Sequence, residues 1–246
     1  MLGELYQPKG LARETAQAVL ECKENVYAVN LSYGFCHNNC SYCYNKRNPY
    51  VPKERRYPKK PPVELVKKQL EKGLEVDGVF MSFGCDPLSN YNWENTYNLK
   101  NLLLWRGINV AILSKMERIV SVETGIRCGA TIVSLENEFA RMYEPRAPHP
   151  KNRLEKLKIA HKRGVFVWVS MEPYPAPEIF KQDLDKLLEE LSFVDFIIFG
   201  KWNYDKRANT PEAKEFYKNA AAEFVDFCEE HKIRYHVKSD TLGGGK

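Results

Sequence analysis

Cys36, Cys40 and Cys43 fall within eight residues, in the stretch CHNNCSYC, of a 246-residue chain that has seven cysteines in all. Thiolates hold soft or borderline metals, which makes zinc or an iron–sulfur cluster the guests to weigh. A structural zinc wants four ligands. His37 adjoins Cys36 and is poorly placed to join the same tetrahedron, and none of Cys22, Cys85, Cys128 or Cys228 has a neighbouring partner that would supply a second ligand pair. A 4Fe–4S cube normally takes four thiolates; held by three, it keeps one iron with an open position. An odd number of cysteines also argues against a disulfide framework.

Such a loop must be carried by a scaffold. Short apolar, β-branched runs predict strands at 26–31, 78–83, 109–113, 130–135, 165–171, 193–199 and 234–237. Runs such as VFVWVS and DFIIFG are continuously apolar, the pattern of strands buried on both faces of a parallel sheet. Helices are expected between them at 61–75, 92–107, 116–129, 150–164, 177–191 and 210–231. Thr210 and Pro211 supply a cap and a first-turn proline, and Gly107 and Gly164 suit helix ends. Repeated β-then-α units require right-handed crossovers, giving an α/β chain shaped as a barrel or partial barrel with a parallel sheet. Residues 1–25 read as an N-terminal extension and 26–246 as one domain.

In such sheets ligands gather at the carboxyl ends of the strands. That rule selects the cysteine loop, then SFGCDPLS (Ser82, Gly84, Cys85, Asp86), Ser114 and Lys115, SLEN (Ser134, Glu136, Asn137), Glu172 in MEP, Lys201 and Trp202, and Lys238. A carboxylate such as Glu172 among apolar neighbours is costly unless it is used or paired, and Lys201 or Lys238 could be its partner or could bind a phosphate. Cys85 could equally be a small apolar residue at a strand end.

The pattern Cys36-x-x-x-Cys40-x-Tyr42-Cys43, placed after a first strand, resembles the signature loop of radical S-adenosylmethionine (radical SAM) enzymes. The resemblance implies a partial (β/α)6 barrel and a 4Fe–4S cluster on the three cysteines, with SAM chelating the open iron. One electron, from a donor such as flavodoxin or ferredoxin, would then cleave SAM to a 5′-deoxyadenosyl radical that abstracts hydrogen from a substrate. By the same resemblance Tyr42 lies against the adenine, and Ser82, Gly84, Asp86, Ser134, Glu136 and Lys201 belong to the SAM site. In place of the family's usual Gly-Gly-Glu-like motif this chain has SFGCDPLS. With CSYCY and YEPRAPHPKNRLE, that departure resembles the spore photoproduct lyase-like subgroup, in which a cysteine at the position of Cys85 donates a hydrogen atom to a product radical. The resemblance thus implies a catalytic role for Cys85, and the place of Glu172 at the barrel mouth among apolar residues points to a catalytic role for it as well.

The bulk composition is ordinary: 43% hydrophobic, 28% charged, net charge +5. The cations cluster only in KRNPYVPKERRYPKK (46–60), where Tyr50 and Tyr57 alternate with lysine and arginine. Basic residues mixed with aromatics suit a nucleic-acid strand, and a solvated loop over the cluster explains the same residues. No run is apolar enough for a membrane span or a signal peptide, so a cytoplasmic protein is expected. The readings left standing are a radical enzyme acting on a nucleic-acid-related substrate, the same chemistry on a peptide or small metabolite, and a zinc-stabilised nucleic-acid-binding module.

Overall fold

The computed structural model describes residues 2–121 and 123–243. In chain order these form β1 (Leu5–Tyr6), α1 (Gly10–Leu20), β2 (Val26–Val29), α2 (Tyr44–Arg47), α3 (Pro62–Glu71), β3 (Gly78–Met81), α4 (Trp93–Trp105), β4 (Asn109–Ser114), β5 (Ile126–Thr131), α5 (Asn137–Tyr143), α6 (Pro150–Lys162), β6 (Phe166–Tyr174), α7 (Leu184–Leu191), β7 (Phe196–Lys201), α8 (Pro211–Glu230) and β8 (Arg234–Val237). The strands pair in sequence order into one eight-stranded sheet. β2 to β8 run parallel and β1 joins antiparallel to β2. β8 does not pair with β1, so the sheet is a partial barrel and stays open.

Alternation along the strands buries both faces. Val79 and Met81, Val110 and Ile112, Val167 and Val169, and Ile197 and Phe199 pack with Leu99 and Leu103 of α4, Leu157 of α6, Leu187 and Leu188 of α7 and Phe224 of α8. Their neighbours Phe80, Ala111, Trp168 and Ile198 meet Ala16, Val19 and Leu20 of α1 on the other face. This is why the strands are apolar throughout. The indole of Trp168 fits there because Gly129, its register partner on β5, has no side chain; a Cβ at that position would come within 2.2 Å of the ring. In α7, Leu184, Leu187, Leu188 and Leu191 make one buried stripe, each worth about 1.5–3 kcal/mol of transfer free energy.

Two expected helices are corrected. Residues 116–129 do not form a helix: 117–121 is a short 3-10 turn, and the strand begins at Ile126, four residues before its expected start. Gly125, at φ +93°, turns the chain, and Ile126, Cys128 and Ala130 then alternate into the core. The helix expected from residue 177 starts only at Leu184, where the Asp183 side chain accepts from Lys186 N. Before it, Ile179 and Phe180 pack under the strand ends with Trp202 and Tyr143.

α1 also ties one edge of the sheet to its middle. Glu21, at its end, pairs with Arg127 of β5 and Arg234 of β8, each at 2.6 Å. Glu14 meets His236 Nε2 of β8 at 2.7 Å and accepts from Ser239 N and Oγ at 2.8 and 2.7 Å. Burial pushes the Glu14 carboxyl up, but Ser239 and His236 together outweigh it and hold it below the ordinary value of 4.5. A depressed carboxyl contributes stability that is complete above that value and lost as pH falls through the lower folded-state value. Glu14→Gln is therefore expected to cost about 1–2 kcal/mol at pH 7, and the gap between variant and parent melting curves should close below pH 4.5. Among the described residues no helix is long and apolar enough to cross a membrane.

Candidate functional site

The polar strand-end residues follow from the same alternation. On β6, Trp168, Ser170 and Glu172 share a face, so the apolar plug gives way to polar side chains as the strand leaves the core; Phe80, Ser82 and Gly84 repeat the pattern beyond β3. Ser82, Gly84, Ser170 and Glu172 open onto a cavity of about 940 Å³, lined also by Cys36, Asn38, Cys40, Tyr42, Cys43, Cys85, Asp86, Lys115, Asn203, Tyr204 and Lys238. Pockets for small molecules run to about 300–1,000 Å³. Lys9, Leu11, Ala12 and Thr15 of α1 and its approach form part of the wall.

The cysteine loop is fastened at several points. Tyr33 and Arg56 exchange backbone hydrogen bonds of 3.0 and 2.7 Å, which brings the segment after α2 back beside the loop. Gly34, at φ +103°, lies where a Cβ would strike the Glu54 carbonyl oxygen, so only glycine passes there. Asn39 N donates to Cys36 O and Cys43 N to Cys40 O, two turns that carry the chain from one thiol to the next. In the middle, Ser41 N donates to Tyr143 O at 2.9 Å, and the Tyr42 hydroxyl donates to Glu144. The Tyr42 ring stands edge-on to Trp202, 5.2 Å between centroids.

Glu144 and Arg153 lie beneath that loop with side chains 1% and 0% exposed and pair directly. Arg153 Nη1 also donates to Thr131 O at 2.7 Å, and Lys115 Nζ stands 4.0 Å from the other Glu144 oxygen. Burial raises the Glu144 carboxyl, but Arg153 and Lys115 outweigh it and leave it below the ordinary carboxylate range. Sequence reasoning misses this pair. Its only signal there is the YEPRAPHPKNRLE stretch, where Arg146 is the more conspicuous cation; Arg146 is exposed.

Asp86 lines the cavity, but its carboxylate is already engaged. It accepts from Asn38 Nδ2 at 3.0 Å, Lys115 N at 2.8 Å, Leu88 N at 3.0 Å and the Ser114 hydroxyl at 2.6 Å. It clamps the cysteine loop to the end of β4. Asn30 does similar work, accepting from Gly84 N at 2.7 Å and from Ser82 Oγ at 3.2 Å. Cys85 is buried against the cavity, and burial pushes its thiol up to about 11; burial does the same to Cys40, with Lys115 opposing. On the far wall Glu172 pairs with Lys238 at 3.0 Å, and burial raises its carboxyl in spite of that lysine. Gly200 leaves the space into which the Glu172 side chain packs.

Five residues selected at the strand ends do not line the cavity: Ser134, Glu136, Asn137, Lys201 and Trp202. Ser134 is buried, its hydroxyl accepting from Glu136 N at 3.2 Å. Glu136 is exposed at the start of α5, and Lys201 N bonds to Thr241 Oγ1 while Asn203 and Tyr204 reach the cavity in its place.

The model of the radical SAM superfamily matches residues 30–191, about two thirds of the chain, from the end of β2 through α7. The chain belongs to the radical SAM superfamily. That membership supports a radical-based enzyme over a zinc-stabilised module. "Uncharacterized protein ORF301" of Acidianus two-tailed virus is 27% identical over 158 residues, 59% of this chain and 52% of the viral protein, so the chain spans about half the length of that relative. The fold is similar to spore photoproduct lyase complexed with dinucleoside spore photoproduct (TM-score 0.63, 15% identity, 86% of this chain and 76% of the lyase). It is also similar to Streptococcus suis SuiB bound to S-adenosylmethionine (TM-score 0.61, 12% identity, 95% of this chain and 56% of SuiB).

The family implies a 4Fe–4S cluster and SAM, and the three cysteines fit the cluster as ligands. Cys36, Cys40 and Cys43 are free thiols on one wall of one cavity, in a three-thiolate donor set. Among the described residues no three His, Cys, Asp or Glu side chains are grouped as for a single metal ion.

Proposed function

We propose that this radical SAM protein holds a 4Fe–4S cluster on Cys36, Cys40 and Cys43, with SAM in the adjoining cavity, and acts on a nucleic-acid-related substrate. The carrying observation is that the cavity bearing the three free thiols runs on to the basic, tyrosine-bearing segment after Cys43: Lys46, Asn48, Pro49, Val51 and Lys53 belong to its lining. The cluster and SAM, when bound, supply one-electron cleavage of SAM to a 5′-deoxyadenosyl radical that takes a hydrogen atom from the substrate. The protein's own residues position the partners. Tyr42, held by Glu144, would contact SAM from the cavity wall; Ser82 and Gly84 would offer polar atoms beside the cluster loop; Asp86 supports that loop. Ser134, Glu136 and Lys201 would take part only through neighbours that reach the cavity. Cys85, buried against the cavity, would give its thiol hydrogen atom to the product radical and be left as a thiyl radical, and Glu172 with Lys238 forms the polar wall opposite. A low-potential one-electron carrier of the flavodoxin or ferredoxin kind would supply the electron.

Tyr50 is 88% exposed and Tyr57 50%, with Lys46, Arg47, Lys53, Lys59 and Lys60 exposed around them. Such rings stack on bases while the cations contact phosphates. Replacing Lys46, Arg47 and Lys53 together by glutamine should weaken binding of a single-stranded oligonucleotide in fluorescence anisotropy. The log–log salt slope should flatten by about two, at roughly 0.7 for each phosphate left without its cation. An unchanged slope removes the nucleic-acid surface.

The whole reading is tested by anaerobic reconstitution: iron and sulfide near about four each, then 5′-deoxyadenosine on reduction with SAM. Deuterium passing from a labelled oligonucleotide into 5′-deoxyadenosine supports the substrate class. Deuterium arriving only from a labelled peptide or metabolite moves the substrate to that class and leaves the radical chemistry standing.

A further inference from the structure

The stretch YEPRAPHPKNRLE contributes two buried ions, Glu144 and Arg153, to a site whose hydrogen-bonding work could be done more cheaply. Each ion taken out of water costs several kcal/mol, and buried pairs are commonly no more stable than apolar replacements. A neutral acceptor would satisfy the Tyr42 hydroxyl, and Ser41 is already held by the Tyr143 carbonyl. What a neutral group would not supply is charge. Lys115 adds a second cation, its Nζ 4.0 Å from Glu144 and 5.3 Å from the centroid of the Tyr42 ring, with its side chain 14% exposed. Lys115, Cys40 and Cys43 line the same cavity. Two cations and one anion therefore stand behind the cysteine loop, with the Asp86 carboxylate beside them bound to Asn38 and to Lys115 N, and burial keeps solvent ions from screening them.

We propose that Lys115, Glu144 and Arg153 form a buried charge set, one unit positive overall, that raises the reduction potential of the cluster held by Cys36, Cys40 and Cys43. The inference rests on the cluster assignment above. One-electron reduction adds one negative charge to the cluster, with the electron coming from an external low-potential reductant. A fixed positive charge nearby favours the reduced form, and net charge is among the factors that set such potentials. The three residues act through the cluster's surroundings and are positioning residues.

The test is a redox titration of the anaerobically reconstituted full chain without SAM, reading the electron paramagnetic resonance signal of the reduced cluster against poised potential. Lys115→Met should shift the midpoint to lower potential and Lys115→Arg, which keeps the charge, should restore it. Glu144→Gln, which removes the only anion of the set, should shift it the opposite way. A purely structural role would lower cluster content in both variants and would not reverse the sign of the shift. If Glu144→Gln does not fold, the Lys115 pair decides alone. Wild-type protein with a full cluster and a midpoint unmoved by Lys115→Met keeps the proposed function and overturns this inference; wild-type protein that takes up no cluster overturns both.

Discussion

Cys40→Ala is expected to give a folded protein with neither the iron and sulfide of a cluster nor 5′-deoxyadenosine above background. Cys40 is only 6% exposed, and loss of one thiol from so small a side chain leaves a minor void, so near-native melting is expected. The chemistry does not survive, because two thiolates remain where three were needed to hold the cube and leave one iron open. Cys36→Ala and Cys43→Ala should behave alike. Cys228→Ala, in the core between α8 and the sheet, changes a buried thiol away from the cavity and should retain both signals. Cys85→Ala belongs between these cases: cluster and 5′-deoxyadenosine are kept and the product altered, which chromatography of the reaction mixture reads out. Retention of a full cluster in Cys40→Ala would sink the ligand assignment.

Arg153→Met should be among the most destabilising single changes in the chain, by about 3–5 kcal/mol in urea unfolding, because it leaves the Glu144 carboxylate buried with Lys115 as its remaining cation. The Thr131 carbonyl loses its Arg153 donor as well. Replacing Glu144 and Arg153 together by methionine should recover much of that loss, since the buried carboxylate is then gone and the ion left behind is Lys115, whose side chain is 14% exposed to water. The double-mutant cycle should therefore show a large coupling between the two sites. Additive effects would mean that Lys115 and solvent already compensate each ion, and the pair would not then be the support of the cysteine loop.

The βα alternation was legible because a parallel sheet buried on both faces needs runs such as VFVWVS and DFIIFG that are apolar at every position. Once that is read, the strand-end rule gathers the cysteine loop, Ser82, Gly84, Cys85, Asp86, Lys115, Glu172 and Lys238 without any tertiary information, and all of them line one cavity. The rule names a strand end but not a side-chain direction. Lys201 lies outside the cavity and Asn203 and Tyr204 reach it, a difference set by how the chain leaves β7. Residues 116–129 looked helical because Ile119, Ile126 and Cys128 fit more than one period; Gly125 and pairing with β4 and β6 settled the strand.

The sequence by itself supplied the candidate metal ligands, because three cysteines within eight residues need only a short loop to meet one metal site. It determined the sheet as well, because backbone pairing and apolar burial act on local runs. Only the tertiary structure decided what stands behind those cysteines. Glu144 reaches Tyr42 across 102 positions of chain and Arg127 reaches Glu21 across 106, contacts whose cost and value depend on burial that no local pattern reports.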